Sequence, residues 1–510
     1  MRLNKFIKNA VIALLTYTIT LSITIFLRRY FLTYLGIEFL GYESLFSNIF
    51  TVMATTEMGI GKNISYHLYK AFSEENREDI SYFYNVYQWI YFLIGTFILI
   101  VGILCSFFLE QFITGNTLNM LALRIIFFLQ LANILRTYFF SYPRMLYTAN
   151  QKEHVHVLYD SIFNISFNVI KIFSIYFFRD YIIYLLLTLL GGICSDAYIF
   201  KIVKRDYKYI KKTKIRIKDI KDKGLLKDIK NFAGHQFAGT VFCGTDNIII
   251  AKVLGILYVG YFNNYMLIKN QIISIVTRIF QPLQASVGNL VYSKDSSKRQ
   301  ELYYMVNMFS FCMASFIAIS VAALAQTFIT IVFGEAYVLS YSFVLILSGN
   351  IFIEIIRGIQ SYFRFVYGEY DKDRKFVVWA AVTNLVLSVV LAHYWQLEGI
   401  IFATLIGNLI IWFGNIKFFK EKYLKESEFT NILKSIGLWC ICFTEGIIVL
   451  ILCSNIEISF GGFFERLLIC IIIPNVCNGL IFIKSKEYET AHIYIQAAMV
   501  EIRRKMGKTI

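Results

Sequence analysis

Long apolar runs recur along the whole chain of 510 residues, and short polar segments separate them. A run of about twenty helical residues is enough to cross the hydrocarbon core of a bilayer. The pattern therefore predicts an all-α, polytopic integral membrane protein with about fourteen spans. The predicted spans are 9–31, 39–61, 84–109, 117–142, 156–178, 180–200, 231–254, 258–290, 303–333, 337–366, 376–396, 397–416, 432–454 and 463–483.

The first two predicted spans differ from the others. The run 9–31 is too long for the apolar core of a secretory signal and lacks a small-residue cleavage site, so we expect it to be retained. The span 39–61 is the weakest of the set because Glu43, Asn48 and Glu57 interrupt it.

Positive charge is concentrated in alternate connecting segments. The net charge is +16, and segment 201–230 alone carries thirteen lysines and arginines, whereas loops 110–117, 333–338 and 455–462 carry none. Cationic loops stay on the cytoplasmic side of a membrane. We therefore expect a multi-pass protein of the inner or plasma membrane with both termini in the cytoplasm, and no binding of nucleic acid.

Composition supports a membrane protein and argues against an enzyme. Hydrophobic residues make up 57% of the chain and charged residues 16%, against about 25% charged in soluble proteins. The predicted outer loops are too short to hold a catalytic domain, and no Gly-rich phosphate-binding loop is present. The nine cysteines are scattered along the chain. We expect a transporter without a cofactor or metal site, driven by an ion gradient, the membrane potential or consumption of its product.

Two pairs of segments repeat at nearly the same shift. LGIEFLGY (35–42) and LGILYVGY (254–261) share five of eight residues at a shift of 219, and SYPRMLY (141–147) resembles SYFRFVY (361–367) at a shift of 220. A shift of six spans preserves orientation and predicts parallel repeats. The expected division is an N-terminal six-helix lobe at 1–210, a second six-helix lobe at 211–425, and two additional helices with a cytoplasmic tail at 426–510.

The glycines of the first repeated pair have a structural interpretation. Gly36 and Gly41, with Gly255 and Gly260, are expected to serve tight outer turns and close helix contact.

Ionisable residues within spans usually face a cavity or a partner, because exposure to lipid is costly. Arginine also binds phosphate through two parallel hydrogen bonds, so an excess of intramembrane cations suits an anionic cargo. The candidate residues for a cationic cavity are Arg28, Arg29, Arg124, Arg136, Lys269, Arg278 and Arg357, and the possible ion-coupling carboxylates are Glu57, Asp246 and Glu354.

Some of these charges have simpler explanations. Glu354 and Arg357 are three residues apart, so they can pair on one helical face. Arg144 and Arg364 lie at inner helix ends and could extend to lipid headgroups. Lys269 and Arg278 are nine residues apart and should project to different sides of their helix.

The segments 35–80 and 245–268, followed by SVGNL at 286–290, resemble the polysaccharide-exporter branch of the MOP flippase superfamily, which moves O-antigen and capsule repeat units. The resemblance implies a V-shaped pair of six-helix lobes around a cationic cavity. It also implies alternating access and export of undecaprenyl-pyrophosphate-linked oligosaccharide. The implied partners are this lipid-linked anionic substrate, membrane lipids, and the polysaccharide polymerase and chain-length machinery.

Related lipid II flippases have functional arginines in the first and eighth spans, which here contain Arg28 and Arg29, and Lys269 and Arg278. Those relatives also use two extra helices to hold the lipid tail, and spans thirteen and fourteen could do the same. One alternative is a multidrug or small-solute antiporter of the same superfamily. A glycan polymerase or ligase is another, although it would need a larger outer loop.

Overall fold

The computed structural model describes residues 2–57, 60–115, 118–211, 244–281, 287, 296–367, 370–422, 427–493 and 496. Regular structure within these residues is helical throughout. The main helices are α1 (Arg2–Tyr34), α2 (Ile37–Met53), α3 (Ile60–Ser73), α4 (Arg77–Ser106), α5 (Leu109–Phe112), α6 (Met120–Phe140), α7 (Arg144–Ala149), α8 (Glu153–Phe178), α9 (Tyr181–Asp206), α10 (Asp246–Val253), α11 (Ile256–Phe280), α12 (Ser296–Val332), α13 (Tyr341–Tyr367), α14 (Tyr370–Lys422), α15 (Glu428–Ser454) and α16 (Phe460–Phe482).

Nine helices in the described ranges are long and apolar enough to cross a membrane. The prediction of an all-α, polytopic membrane protein is therefore confirmed. Most predicted spans coincide with a helix to within a few residues. Residues 212–243 and 282–286 lie outside the described residues, and so do most of the basic segment 201–230 and parts of the seventh and eighth predicted spans.

Two helix breaks correspond to features of the sequence. α14 leaves helical geometry at Trp395 (φ −122°) and Gln396 (φ +49°), which is where the predicted eleventh and twelfth spans meet. The weak second span is also discontinuous. There α2 ends at Met53, a 3-10 turn covers Ala54–Glu57, and α3 begins at Ile60.

Polar residues fix several helix starts. The Asn76 side-chain oxygen accepts hydrogen bonds from the backbone N–H groups of Glu78 and Asp79 at the start of α4. The Asp180 carboxylate accepts the N–H of Ile182 at 2.7 Å at the start of α9. These bonds satisfy backbone donors that a helix leaves unpaired in its first turn, so short polar segments set the positions of the long apolar helices.

The chain forms two compact units, residues 1–263 and 264–510. In the first unit, α1 packs on α8, and α9 packs on α6 and α8. In the second unit, α12 packs on α13 and α16, and α13 packs on α14. The last two helices, α15 and α16, both pack against α12. The division into lobes at 1–210, 211–425 and 426–510 stays a prediction.

The repeated glycine motifs meet at a reciprocal contact in the first unit. Gly36 and Gly255 have φ values of +91° and +106°, which glycine adopts without strain. The Cα of Gly41 lies against the backbone oxygen of Ile256, and that of Gly260 lies against the backbone oxygen of Ile37. Since Ile37 and Ile256 differ by the repeat shift, each repeat contributes one glycine and one isoleucine. The predicted turn and contact roles are confirmed.

This contact predicts the effect of one added methyl group. Gly41→Ala would place a Cβ against the Ile256 carbonyl, and overpacking of this kind costs about 1–3 kcal/mol. We expect a lower midpoint of thermal unfolding for the purified protein. Gly437→Ala is the matched control because its new methyl meets no atom within 4 Å. Equal midpoints for the two variants would contradict the close contact.

Candidate functional site

Four acidic and basic side chains form an ion network in the first unit. The Asp196 carboxylate lies 2.5 Å from an Arg136 guanidinium nitrogen and 2.6 Å from one of Arg144. Arg144 also makes a bidentate contact with Asp160 at 2.6 and 2.9 Å. Two cations therefore meet two carboxylates, so Arg136 is engaged in a network that joins α6, α7, α8 and α9.

The second unit contains a related contact at the same sequence separation. The Arg144 guanidinium donates to the Ser195 hydroxyl at 3.3 Å, 51 residues further on. Arg364 donates to the Asn415 side-chain oxygen at 2.8 Å, also 51 residues further on. Arg364 and Asn415 lie 220 residues after Arg144 and Ser195. The structure therefore supports the second sequence match with a conserved contact.

The expectation that Arg144 and Arg364 extend to lipid headgroups is wrong. Arg144 is held by two carboxylates, and Arg364 is buried, with 5% of its surface exposed. Both arginines bind neighbouring helices because a polar partner is available within the protein. The expectation was based on the position of Arg144 and Arg364 at helix ends, and that position does not reveal which residues of neighbouring helices they bind.

Arg28 belongs to a second charged cluster in the first unit. It interacts electrostatically with Glu43 of α2, which also interacts with Lys171 of α8. Lys171 is 7% exposed, and its ammonium lies 4.9 Å from the centre of the Tyr184 ring. Two cations thus face one carboxylate beside an aromatic surface. Cation–π contact adds to the attraction in such a desolvated position.

Glu57 lies at the discontinuity of the second span and is surrounded by tyrosines. The Tyr91 hydroxyl donates a hydrogen bond to its carboxylate. The Tyr91 ring lies 4.2 Å from that of Tyr87 and 5.6 Å from that of Tyr138. Gly61 lies beside the same group, since a Cβ there would be 2.8 Å from the Glu57 carboxylate. Helix breaks with polar side chains are typical ion-binding positions in transporters.

The main charged cluster of the second unit joins α11 and α13. Lys269 Nζ lies 2.8 Å from Glu354 Oε2, and Arg357 also interacts electrostatically with Glu354. The expected pairing of Glu354 with Arg357 is therefore only part of the arrangement. The Lys269 and Glu354 side chains are 14% and 22% exposed, so a ligand could reach both.

The remaining predicted residues lie apart from these clusters. Arg29, Arg124 and Arg278 have exposed side chains. Because Arg278 is exposed and Lys269 pairs with Glu354, the expectation that they project to different sides is confirmed. Asp246 is buried in the first turn of α10, where the helix dipole favours a negative charge.

Sequence reasoning missed several residues that hold these clusters together. Asp160, Asp196 and Lys171 are ionisable residues within predicted spans, but their partners are 16 to 128 positions away, and no periodicity links them. Tyr91 and Tyr138 carried no signal because tyrosine is common in this chain, with 35 copies.

An apolar groove of about 430 Å³ lies within the second unit. One wall is a stripe of isoleucines on α11, and the other walls come from α12 and the start of α16. The residues that line this groove include Ile268, Ile272, Ile275, Ile279, Phe316, Phe328 and Phe463. Ile268 is adjacent to Lys269, so the groove begins next to the charged cluster along the same helix.

Comparison with solved structures places the fold. A structure described as "Lipid II flippase MurJ, inward closed conformation" has a TM-score of 0.66, with 15% identity over 92% of this chain and 99% of that one. An inward-facing multidrug resistance MATE transporter of the MOP superfamily has a TM-score of 0.60, with 15% identity over 79% and 97% of the two chains. A MOP superfamily transporter from Pyrococcus furiosus has a TM-score of 0.57, with 15% identity over 82% and 96%.

The fold is therefore that of MOP superfamily flippases and transporters, and the chain is a multi-pass membrane protein. The similar structures are transporters and flippases. No protein-family model matches the sequence, and no curated protein matches it.

The ion network around Asp196 predicts a large effect of a small substitution. Asp196→Asn would leave Arg136 and Arg144 facing a neutral amide, and breaking a buried ion pair costs about 3 kcal/mol or more. We expect a clear fall in the thermal unfolding midpoint. Asp180→Asn on the same helix is the control, because asparagine caps a helix as well as aspartate does. A normal midpoint for Asp196→Asn would show that the network does not stabilise this unit.

Proposed function

We propose that the protein is a flippase for undecaprenyl-pyrophosphate-linked oligosaccharide repeat units. It would carry them from the cytoplasmic to the outer leaflet by alternating access, for capsule, O-antigen or another cell-surface polysaccharide. The observation that carries this proposal is the juxtaposition on α11 of an accessible cationic cluster and an apolar groove. A lipid-linked diphosphate presents the same two features in one molecule.

The cationic cluster suits the diphosphate. Glu354 forms an ion pair with Lys269 and interacts electrostatically with Arg357. A diphosphate carries more charge than one carboxylate and can accept parallel hydrogen bonds from arginine. It would therefore compete with Glu354 for both cations. Because the diphosphate replaces Glu354 directly, Lys269 and Arg357 would never be left unpaired, and an unpaired charge away from water is costly.

The groove suits the polyprenyl tail. Its isoleucine and phenylalanine lining offers no charge, and Phe463 comes from the first turn of α16. The lipid II flippase matches 92% of the chain, whereas the multidrug transporter matches 79%, so the flippase fold accounts for more of this protein. We infer that α15 and α16 help to hold the tail, as the family resemblance implies.

The remaining predictions concern the coupling ion and the side of the membrane at which the cargo leaves. Glu57, at the break between α2 and α3, is the proposed ion-coupling carboxylate of the first unit. The Gly41–Ile256 and Gly260–Ile37 contacts join the two sequence repeats within the first unit. With both termini in the cytoplasm, as the charge pattern predicts, we expect these contacts at the outer side of the membrane, where the cargo would leave.

A reconstituted flipping assay tests the proposal. Purified protein in liposomes would be supplied with fluorescent undecaprenyl-diphosphate oligosaccharide, and loss of its accessibility to an external quencher would be measured. Lys269→Ala removes a charge-assisted contact that is typically worth about 1.5–3 kcal/mol. We expect the half-saturating substrate concentration to rise about ten-fold or more, since 1.4 kcal/mol is a factor of ten.

Lys486→Ala is the control for this assay because Lys486 is an exposed lysine beyond the end of α16. The control should behave as the wild type. Equal flipping in liposomes with and without the wild-type protein would overturn the proposed function. Unchanged substrate dependence in Lys269→Ala would remove this cluster from the binding site.

Export of cationic drugs is the second candidate. The pairing of Arg136 and Arg144 with carboxylates, together with the tyrosine-surrounded Glu57, favours a cationic cargo. The same liposomes distinguish the two candidates. Accumulation of cationic dyes without flipping of the lipid-linked substrate would favour the drug exporter.

A further inference from the structure

Glu445 is a buried carboxylate in the middle of α15. Only 3% of its surface is exposed, and both carboxylate oxygens lack a hydrogen-bond partner. In the described part of the chain, no charged side chain pairs with it. Neither the ion networks nor the groove includes this residue. It therefore needs an explanation of its own.

The surroundings of Glu445 form one polar layer between three helices. The ionisable groups that interact with it are thiols, namely Cys312 of α12, Cys477 of α16 and Cys442 of α15 itself. α14 also packs on α15, and no ionisable group from its described residues interacts with Glu445. The carboxylate thus lies among neutral groups.

Asn478 of α16 is a second buried polar residue that has an atom without a partner. It is next to Cys477 on α16, is 3% exposed, and donates its amide to the Ser315 hydroxyl at 2.8 Å. Ser315 lies one helical turn from Cys312 on α12. The Asn478 side-chain oxygen has no hydrogen-bond partner. Three buried oxygen atoms without hydrogen-bond donors therefore lie on α15 and α16, two helices that pack on each other and on α12.

An ionised carboxylate in this position needs compensation. Burying an unpaired charge is far more costly than burying a satisfied polar group, and the penalty is greatest within a membrane. The compensating group has to be positive, and small enough to fit among close-packed helices. Hard cations prefer oxygen ligands, and a proton also removes the charge of a carboxylate.

We infer that Glu445 and Asn478 form a binding site for a small monovalent cation, either a proton or Na⁺, between α12, α15 and α16. The inference stands independently of the proposed cargo and of the ion-coupling role of Glu57. Binding of the cation neutralises Glu445 and thereby stabilises the packing of the last two helices on α12.

Chemical labelling of the full-length protein tests the site. Dicyclohexylcarbodiimide modifies protonated carboxyl groups in apolar surroundings, and the modified peptide can be found by mass spectrometry. In sodium-free nanodiscs we expect labelling of Glu445 that is lost at alkaline pH. Glu465, an exposed glutamate of α16, is the internal control and should stay unlabelled.

The labelling also distinguishes the two cations. Protection of Glu445 by Na⁺ at constant pH, but not by choline, would identify a sodium site. Labelling that depends on pH and is indifferent to Na⁺ would identify a proton site. Absence of labelling of Glu445 at every pH in sodium-free medium would overturn the inference.

A substitution provides a second measurement. Glu445→Gln keeps the shape of the side chain and removes its charge. The wild type should gain thermal stability on addition of Na⁺ or at lower pH, depending on the cation. Glu445→Gln should lose that shift, and Glu465→Gln should keep it. A shift of equal size in Glu445→Gln would place the cation elsewhere.

Discussion

The cost of an unpaired charge in hydrocarbon is the constraint on which this structure depends. It explains why Arg136 and Arg144 lie against Asp196, and why Lys269 lies against Glu354. It also explains why the buried Lys171 interacts electrostatically with Glu43 and lies over the Tyr184 ring. Each charged cluster therefore has a structural role. A transported ligand that binds one of these charges has to replace the partner that the charge already has.

The internal repeat shows how the same constraint is met differently in the two units. Arg144 binds two carboxylates and Ser195, whereas Arg364, its equivalent, binds Asn415 at the serine's equivalent position. At this repeated position, ion pairs hold the arginine of the first unit, and the arginine of the second unit donates to a neutral amide. The glycine motifs have kept their geometry more strictly, because an added methyl at Gly41 or Gly260 would meet backbone.

The sequence alone predicted the fold class, most span positions, the break between the eleventh and twelfth spans and the roles of four glycines. These features follow from local hydrophobicity and from repeated motifs, both of which are readable along the chain. It also identified the intramembrane charged residues. Their partners could not be predicted, because Arg136 and Asp196 are 60 residues apart and meet only through helix packing. The error about Arg144 and Arg364 has the same cause.

The candidate site was predicted only in part. Lys269, Arg357 and Glu354 were singled out, but the structure adds that Glu354 pairs with Lys269 and also interacts electrostatically with Arg357. The adjacent isoleucine groove had no signature within a chain that is 57% hydrophobic. In the proposed flippase, the groove would bind the polyprenyl tail of the substrate and the charged cluster would bind its diphosphate. The similar fold of a lipid II flippase is consistent with this proposal.

The location of the lipid-linked repeat unit in living cells tests the central claim most directly. In a strain that lacks this protein, a membrane-impermeant enzyme or lectin would be used to probe the outer leaflet for the intermediate. Flipping by this protein predicts that the repeat unit accumulates on the cytoplasmic side and that the wild-type gene restores its outward appearance. Normal amounts of the intermediate in the outer leaflet of the deletion strain would contradict the account.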